Sequence, residues 1–96
     1  MSADRMASLA HRAERLAAVQ ALLIERLYLE VEAADLDPDA PLFGSGHGLD
    51  SIDAVELIVA LEEAFGVKLE EARVHAVRHL RTLNNVVDRV IAQEGA

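Results

Sequence analysis

Apolar side chains recur at helical spacing through the N-terminal stretch, at Leu9, Ala13, Leu16, Leu23 and Leu27, with Gln20 as the polar exception. No Gly or Pro interrupts residues 3–29. The spacing predicts one long amphipathic helix from Ala3 to Leu29. Residues 1–8, rich in Arg and Ala, read as an extension that frays, because a short amphipathic start is marginal without packing.

From Val31 to Leu49 the periodicity stops. Asp35, Asp37, Pro38, Asp39 and Pro41 are followed by Gly44, Gly46 and Gly48, which is turn chemistry. A link this long in a small domain is expected to be ordered and functional, with Leu36, Leu42, Phe43 and Leu49 as anchors in the core. Periodicity resumes at Asp50 and runs to Phe65, with Asp50 or Ser51 as N-cap, Asp53 in the first turn and Gly66 as the stop. After a link over 67–70, a short helix is expected over 71–76. Thr82 then caps a last helix through Gln93, with Leu83, Val86, Val87, Val90 and Ile91 as its stripe. The expected architecture is all-α, a four-helix bundle with a long first connection, in a single domain over 1–96.

Composition narrows what such a bundle does. The chain is 52% hydrophobic but only 3% aromatic, so its core must be aliphatic. Between Arg26 and Lys68 there is no basic residue, while Glu30, Glu32, Asp35, Asp37, Asp39, Asp50, Asp53, Glu56, Glu62 and Glu63 fall there. The net charge of −8 therefore comes entirely from the middle of the chain, which excludes a phosphate-neutralising nucleic-acid binder. With no cysteine, thiol chemistry has to be imported. No run has signal-peptide or membrane-spanning character, so a cytoplasmic monomer without membrane insertion is expected.

The second helix has two apolar faces. Ala54, Leu57, Ile58, Leu61 and Phe65 suffice as a core stripe, yet Ile52, Val55 and Val59 lie opposite, fenced by Asp53, Glu56, Glu62 and Glu63. Medium-sized apolar groups among acids suit transient docking of basic partners. Partial cover by the short helix over 71–76 would explain the same residues, and acids alone make an ordinary solvated face.

The run Leu42-Phe43-Gly44, then Gly48-Leu49-Asp50-Ser51-Ile52-Asp53-Ala54-Val55-Glu56-Leu57, then Ala60-Leu61-Glu62-Glu63-Ala64-Phe65-Gly66-Val67-Lys68-Leu69, closely resembles the acyl carrier protein family. The family's Asp-Ser-Leu hallmark reads Asp50-Ser51-Ile52 here, and weaker agreement extends the resemblance over about residues 20–93. The resemblance implies a fold of acyl-carrier type and a protein that is not an enzyme. It implies that Ser51 receives a covalent 4'-phosphopantetheine arm from coenzyme A through a phosphopantetheinyl transferase, the arm then holding acyl groups as thioesters. Exposed N–H groups and the dipole at a helix start would favour the phosphodiester by about 0.3–1 kcal/mol. Asp50, Ile52, Val55, Glu56 and Val59 are implied as recognition residues for the transferase and for acyl-transferring and condensing enzymes with basic docking patches. Two departures, the glycine-rich loop before the hallmark and the basic cluster Arg73, His75, Arg78, His79 and Arg81, suggest a specialised lipid or polyketide-type pathway.

Other readings are weaker. Asp35-x-Asp37-x-Asp39 has the spacing that opens a calcium loop, but Ala40 stands where such a loop needs Gly and Gly46 where it needs Glu. His11, His47, His75 and His79 do not form a metal-binding motif, since His75 and His79 stand four apart but no Glu follows His75, and His47 reads as a solvated loop residue. No metal and no catalytic residue is expected. An aminoacyl or peptidyl carrier, and an unmodified helical docking adaptor, are the alternatives.

Overall fold

A computed structural model describes residues 3–44, 46–69 and 80–94, with side chains from residue 6 on. Its helices are α1 (Ala3–Leu27), α2 (Ser51–Phe65) and α3 (Leu83–Glu94), with a single 3-10 turn at Ala33–Asp35 in the long connection. Among the described residues the protein is all-helical and has no strand. The helix expected over 71–76 lies outside them, as do Arg73, His75, Arg78 and His79.

α1 packs against both α2 and α3. Its buried contribution is Val19 and Leu23, with Leu16, Leu22, Ile24 and Leu27 partly buried around them. Met6 and Leu9 are exposed, so the first turns are helical yet stand outside the core. Polar contacts begin at the next turn, where Arg12 pairs with Asp88 at 2.5 Å and Arg15 with Glu94. The helix ends two residues before the expected Leu29. Tyr28 turns left-handed at φ 52°, and the Leu29 N–H donates to the Ile24 carbonyl at 3.1 Å, closing the helix in a Schellman-type turn.

α2 and α3 bury the stripes that their periodicity predicts. Leu57, Ile58 and Leu61 join Leu83, Val86, Val87 and Val90 in one cluster, Ala54 is buried as well, and Ile91 is partly buried. Phe65 is only partly buried, with the Arg15 guanidinium 5.9 Å from its ring centroid. Truncating a fully buried leucine such as Leu23, Leu57 or Leu61 to Ala should cost about 2–5 kcal/mol. That is a large share of the roughly 5–15 kcal/mol that stabilises a domain. Thr82 caps α3 as expected, its Oγ1 accepting from the Asn85 N–H at 3.1 Å.

The long connection is ordered by what it touches. Leu36, Leu42 and Leu49 are buried anchors, and Phe43 is partly buried. The Leu42 N–H donates to the Arg81 carbonyl (2.9 Å) and Asn84 N–H to that of Pro38 (3.1 Å), tying the loop to the start of α3. The three aspartates that suggested a cation loop build turns and a clasp. Asp35 accepts from the Glu32 N–H, Asp37 from the Asp39 N–H, and Asp39 from the Asn84 side-chain amide. No helix among the described residues is long and apolar enough to cross a membrane.

Candidate functional site at the start of helix α2

Ser51 is placed by the loop before it and by the cap of α2. The segment 41–49 closes on itself through His47 N–H to Pro41 carbonyl (2.8 Å) and Leu49 N–H to Leu42 carbonyl (3.0 Å). Gly46 passes so close to Pro41 that a Cβ there would stand 1.8 Å from the Pro41 oxygen, which explains why this loop uses glycine. His47 is part of this closure. It is half-buried, with Nε2 3.0 Å from the Asp37 carbonyl, and is a structural clasp rather than the solvated histidine expected from the sequence.

The chain leaves the loop at Leu49 and enters α2 through a reciprocal cap. Asp50 Oδ1 accepts from the N–H groups of Ile52 and Asp53, both at 2.9 Å, and Asp53 Oδ2 accepts from the Asp50 N–H at 3.0 Å. The N-cap is thus Asp50, not Ser51. This assignment decides the chemistry of the site. A capping serine spends its hydroxyl on the backbone; here Asp50 does that work, and the exposed Ser51 hydroxyl makes no hydrogen bond among the described residues. The same cap revises one expectation. The N–H groups of Ile52 and Asp53 are already taken by a carboxylate, so they are not free to cradle a phosphate, and only the Ser51 N–H and the helix dipole remain to favour one.

The other expected recognition residues lie along the next two turns. Ile52 and Val55 are exposed, at 77% and 58%, whereas Val59 is half-buried. The flanking acids are more engaged than a solvated fence. Arg26 of α1 contacts Glu56 at 3.0 Å and Glu63 at 3.1 Å, and Glu62 accepts from the Leu69 N–H at 3.1 Å. Hydrogen bonds donated to Glu63 and then to Glu56 push the Arg26 guanidinium further up from its ordinary value, so it is a cation at any working pH. Periodicity could not reveal Arg26, because its role depends on how α1 lies across α2. Its position at the basic edge of an otherwise acidic stretch was the one available signal.

Ile52, Asp53 and Glu56 also wall a cleft of about 590 Å³, completed by Glu25, Arg26 and Leu27 of α1 and by Tyr28 just after it. Among the described residues no group of three carboxylate or imidazole side chains could hold a metal.

The sequence model of the family described as a phosphopantetheine attachment site matches residues 17–90. The chain is 42% identical over 59 residues to the acyl carrier protein of Helicobacter pylori strain G27, an overlap of 62% of this chain and 72% of that protein. It is 31% identical over 71 residues to the acyl carrier protein of Solidesulfovibrio magneticus, covering 74% of this chain and 87% of that one. It is 35% identical over 62 residues to the chloroplastic acyl carrier protein 2 of Hordeum vulgare, covering 60% and 48% respectively.

Proposed function

The chain belongs to the acyl carrier protein family, whose members carry a covalent 4'-phosphopantetheine and are carriers, not enzymes, and on that footing we propose that Ser51 is the attachment residue. The observation that carries the proposal is the division of labour between Asp50 and Ser51: the aspartate caps α2, and the serine hydroxyl stays exposed and unbonded at its first turn.

The residues present fit the group. Ser51 stands on a rigid helix start whose entry angle is fixed by the Asp50–Asp53 cap and by buried Leu49 and Ala54 on either side. In the transfer, the Ser51 oxygen forms a new bond to the phosphorus that bears pantetheine in coenzyme A, and the adenosine bisphosphate portion leaves. The serine proton passes to a base on the transferase. Once attached, the arm supplies the thiol that a chain without cysteine lacks, and holds acyl groups as thioesters.

Asp50 and Asp53 keep the neighbourhood of Ser51 negative, which would disfavour a phosphodiester lying against the helix end. An arm held outward suits delivery to successive enzymes. Ile52, Val55, Glu56 and Val59 form the surface those enzymes read: the transferase, and acyl-transferring and condensing enzymes with basic patches. Acyl cargo is favoured over aminoacyl cargo by the acyl carrier proteins to which the chain is similar. The pathway we propose is fatty-acid, specialised lipid or polyketide-type biosynthesis.

Incubation with coenzyme A and a broad-specificity phosphopantetheinyl transferase should add one phosphopantetheine by intact mass, and Ser51→Ala should add none. An unmodified wild type, or a modified Ser51→Ala, would overturn the assignment.

A further inference from the structure

Tyr28 stands out from every other described residue. It is the only non-glycine with positive φ among them, in the helix-closing position that glycine ordinarily fills. An L side chain there is strained, and burial does not offset the strain, because Tyr28 is 88% exposed. Strain held at an exposed aromatic points towards use of that side chain. What faces it is informative: Tyr28 shares the α1–α2 cleft with Ile52, itself 77% exposed, and with Asp53 and Glu56.

We propose that this cleft is a docking pocket for the phosphopantetheinyl transferase, which inserts an apolar side chain between Tyr28 and Ile52 and sets cationic side chains against the acids of the rim. The proposal rests on the reading of Ser51 as the attachment residue. The occupant follows from position and charge. Ile52 directly follows Ser51, so an enzyme that brings the diphosphate of coenzyme A to the Ser51 oxygen must cover the Ile52 wall. An enzyme surface that holds a diphosphate is cationic, and the cleft complements it because Glu25, Asp53 and Glu56 outweigh Arg26, the one cation that lines it. The same acids repel coenzyme A itself, so the cleft is for protein rather than for nucleotide. Tyrosine is among the residues that most often anchor such contacts, since a rigid ring gives large contact area at low entropic cost.

The strain gives the test a readout that a merely structural role would not produce. Tyr28→Gly removes the ring and relieves the backbone, so docking and stability should move in opposite directions. Steady-state transfer from coenzyme A should show KM for Tyr28→Gly raised about five- to tenfold, with kcat changed less than about twofold. Its thermal midpoint should equal or exceed that of wild type. Tyr28→Asn, also tolerated in the left-handed region, should raise KM similarly, and Met6→Ala, an exposed apolar residue far along α1, should not. Folded Tyr28→Gly and Tyr28→Asn proteins with wild-type KM, or a loss confined to kcat, would overturn the docking pocket while leaving Ser51 in place. Failure of the wild type to load at all would instead remove the attachment assignment.

Discussion

Arg26 grips Glu56 with two nitrogens of one guanidinium, Nη2 at 3.0 Å and Nε at 3.2 Å from the same carboxylate oxygen, and with its remaining nitrogen reaches Glu63 at 3.1 Å. The acid that the sequence marks most clearly for recognition is therefore already answered by a cation from within the chain. A partner's lysine or arginine would have to compete with Arg26 for Glu56.

Arg26→Gln should accordingly tighten docking. With a basic transferase at low ionic strength, KM for the carrier should fall about two- to fivefold, and the difference should fade as salt shortens the Debye length towards about 10 Å at 0.1 M and below. Glu56→Gln should raise KM, and adding Arg26→Gln to it should recover less than the single change gains. Equal KM for wild type and Arg26→Gln at low salt would remove Glu56 from the docking surface.

Asp50 caps α2, and one pair of substitutions separates that role from its proposed role in recognition. Asp50→Ala removes the acceptor for the Ile52 and Asp53 N–H groups and should destabilise the protein by about 1 kcal/mol. For a domain of this size that is a fall of roughly 4–8 °C in thermal midpoint. Asp50→Asn retains an oxygen acceptor and should keep most of the stability, while losing the charge beside Ser51. If recognition reads the charge, Asp50→Asn should load more slowly despite a near-normal melt; if it loads normally, the residue serves only as a cap.

The boundaries of α2 were legible in the sequence because their determinants are local: Asp50 and Asp53 three residues apart, and Gly66, which adopts φ 67°. The anchors Leu36, Leu42 and Leu49 were legible as isolated apolar residues in a polar stretch. Ser51 was legible as a member of a motif, but the freedom of its hydroxyl was not, since either Asp50 or Ser51 satisfies the cap preference. The end of α1 was misplaced because a left-handed tyrosine has no sequence signal; its turn is fixed by packing of Ile24 and Leu29 beside the core. The Arg26 pairs, the His47 clasp and the α1–α2 cleft join residues distant in the chain, where spacing carries no information.

Gly46→Ala tests whether the loop before α2 has to be closed to present Ser51. A Cβ at 1.8 Å from the Pro41 oxygen forces the backbone apart, and the His47 N–H to Pro41 carbonyl bond is the first casualty. Overpacking of this kind typically costs about 1–3 kcal/mol, so thermal melts should shift down by several degrees. Hydrogen exchange should show faster exchange at the His47 amide with α2 itself still protected. An unchanged His47 amide would mean that the loop relaxes without opening.

The α1–α3 contact should be the acid-sensitive part of the fold. Glu94 accepts from His11 at 2.5 Å and from Arg15, and these hydrogen bonds, His11's being the larger effect, hold its carboxyl below the ordinary glutamate range. A carboxyl depressed by folding is protonated at higher pH in the unfolded chain than in the folded one, so its contribution to stability is present above the unfolded value. That contribution is lost as pH falls from about 4.3 through the lower folded value. Urea midpoints of wild type and Glu94→Gln should therefore differ near neutrality, with wild type the more stable, and converge below pH 4. Because Glu94 lies at the end of α3 and its partners His11 and Arg15 stand several turns of α1 before Tyr28, transferase kinetics at neutral pH should be the same for Glu94→Gln and wild type. A KM shift in Glu94→Gln would mean that the two ends of α1 are coupled, and that α1 transmits changes in its α3 contact to the cleft beside Ser51.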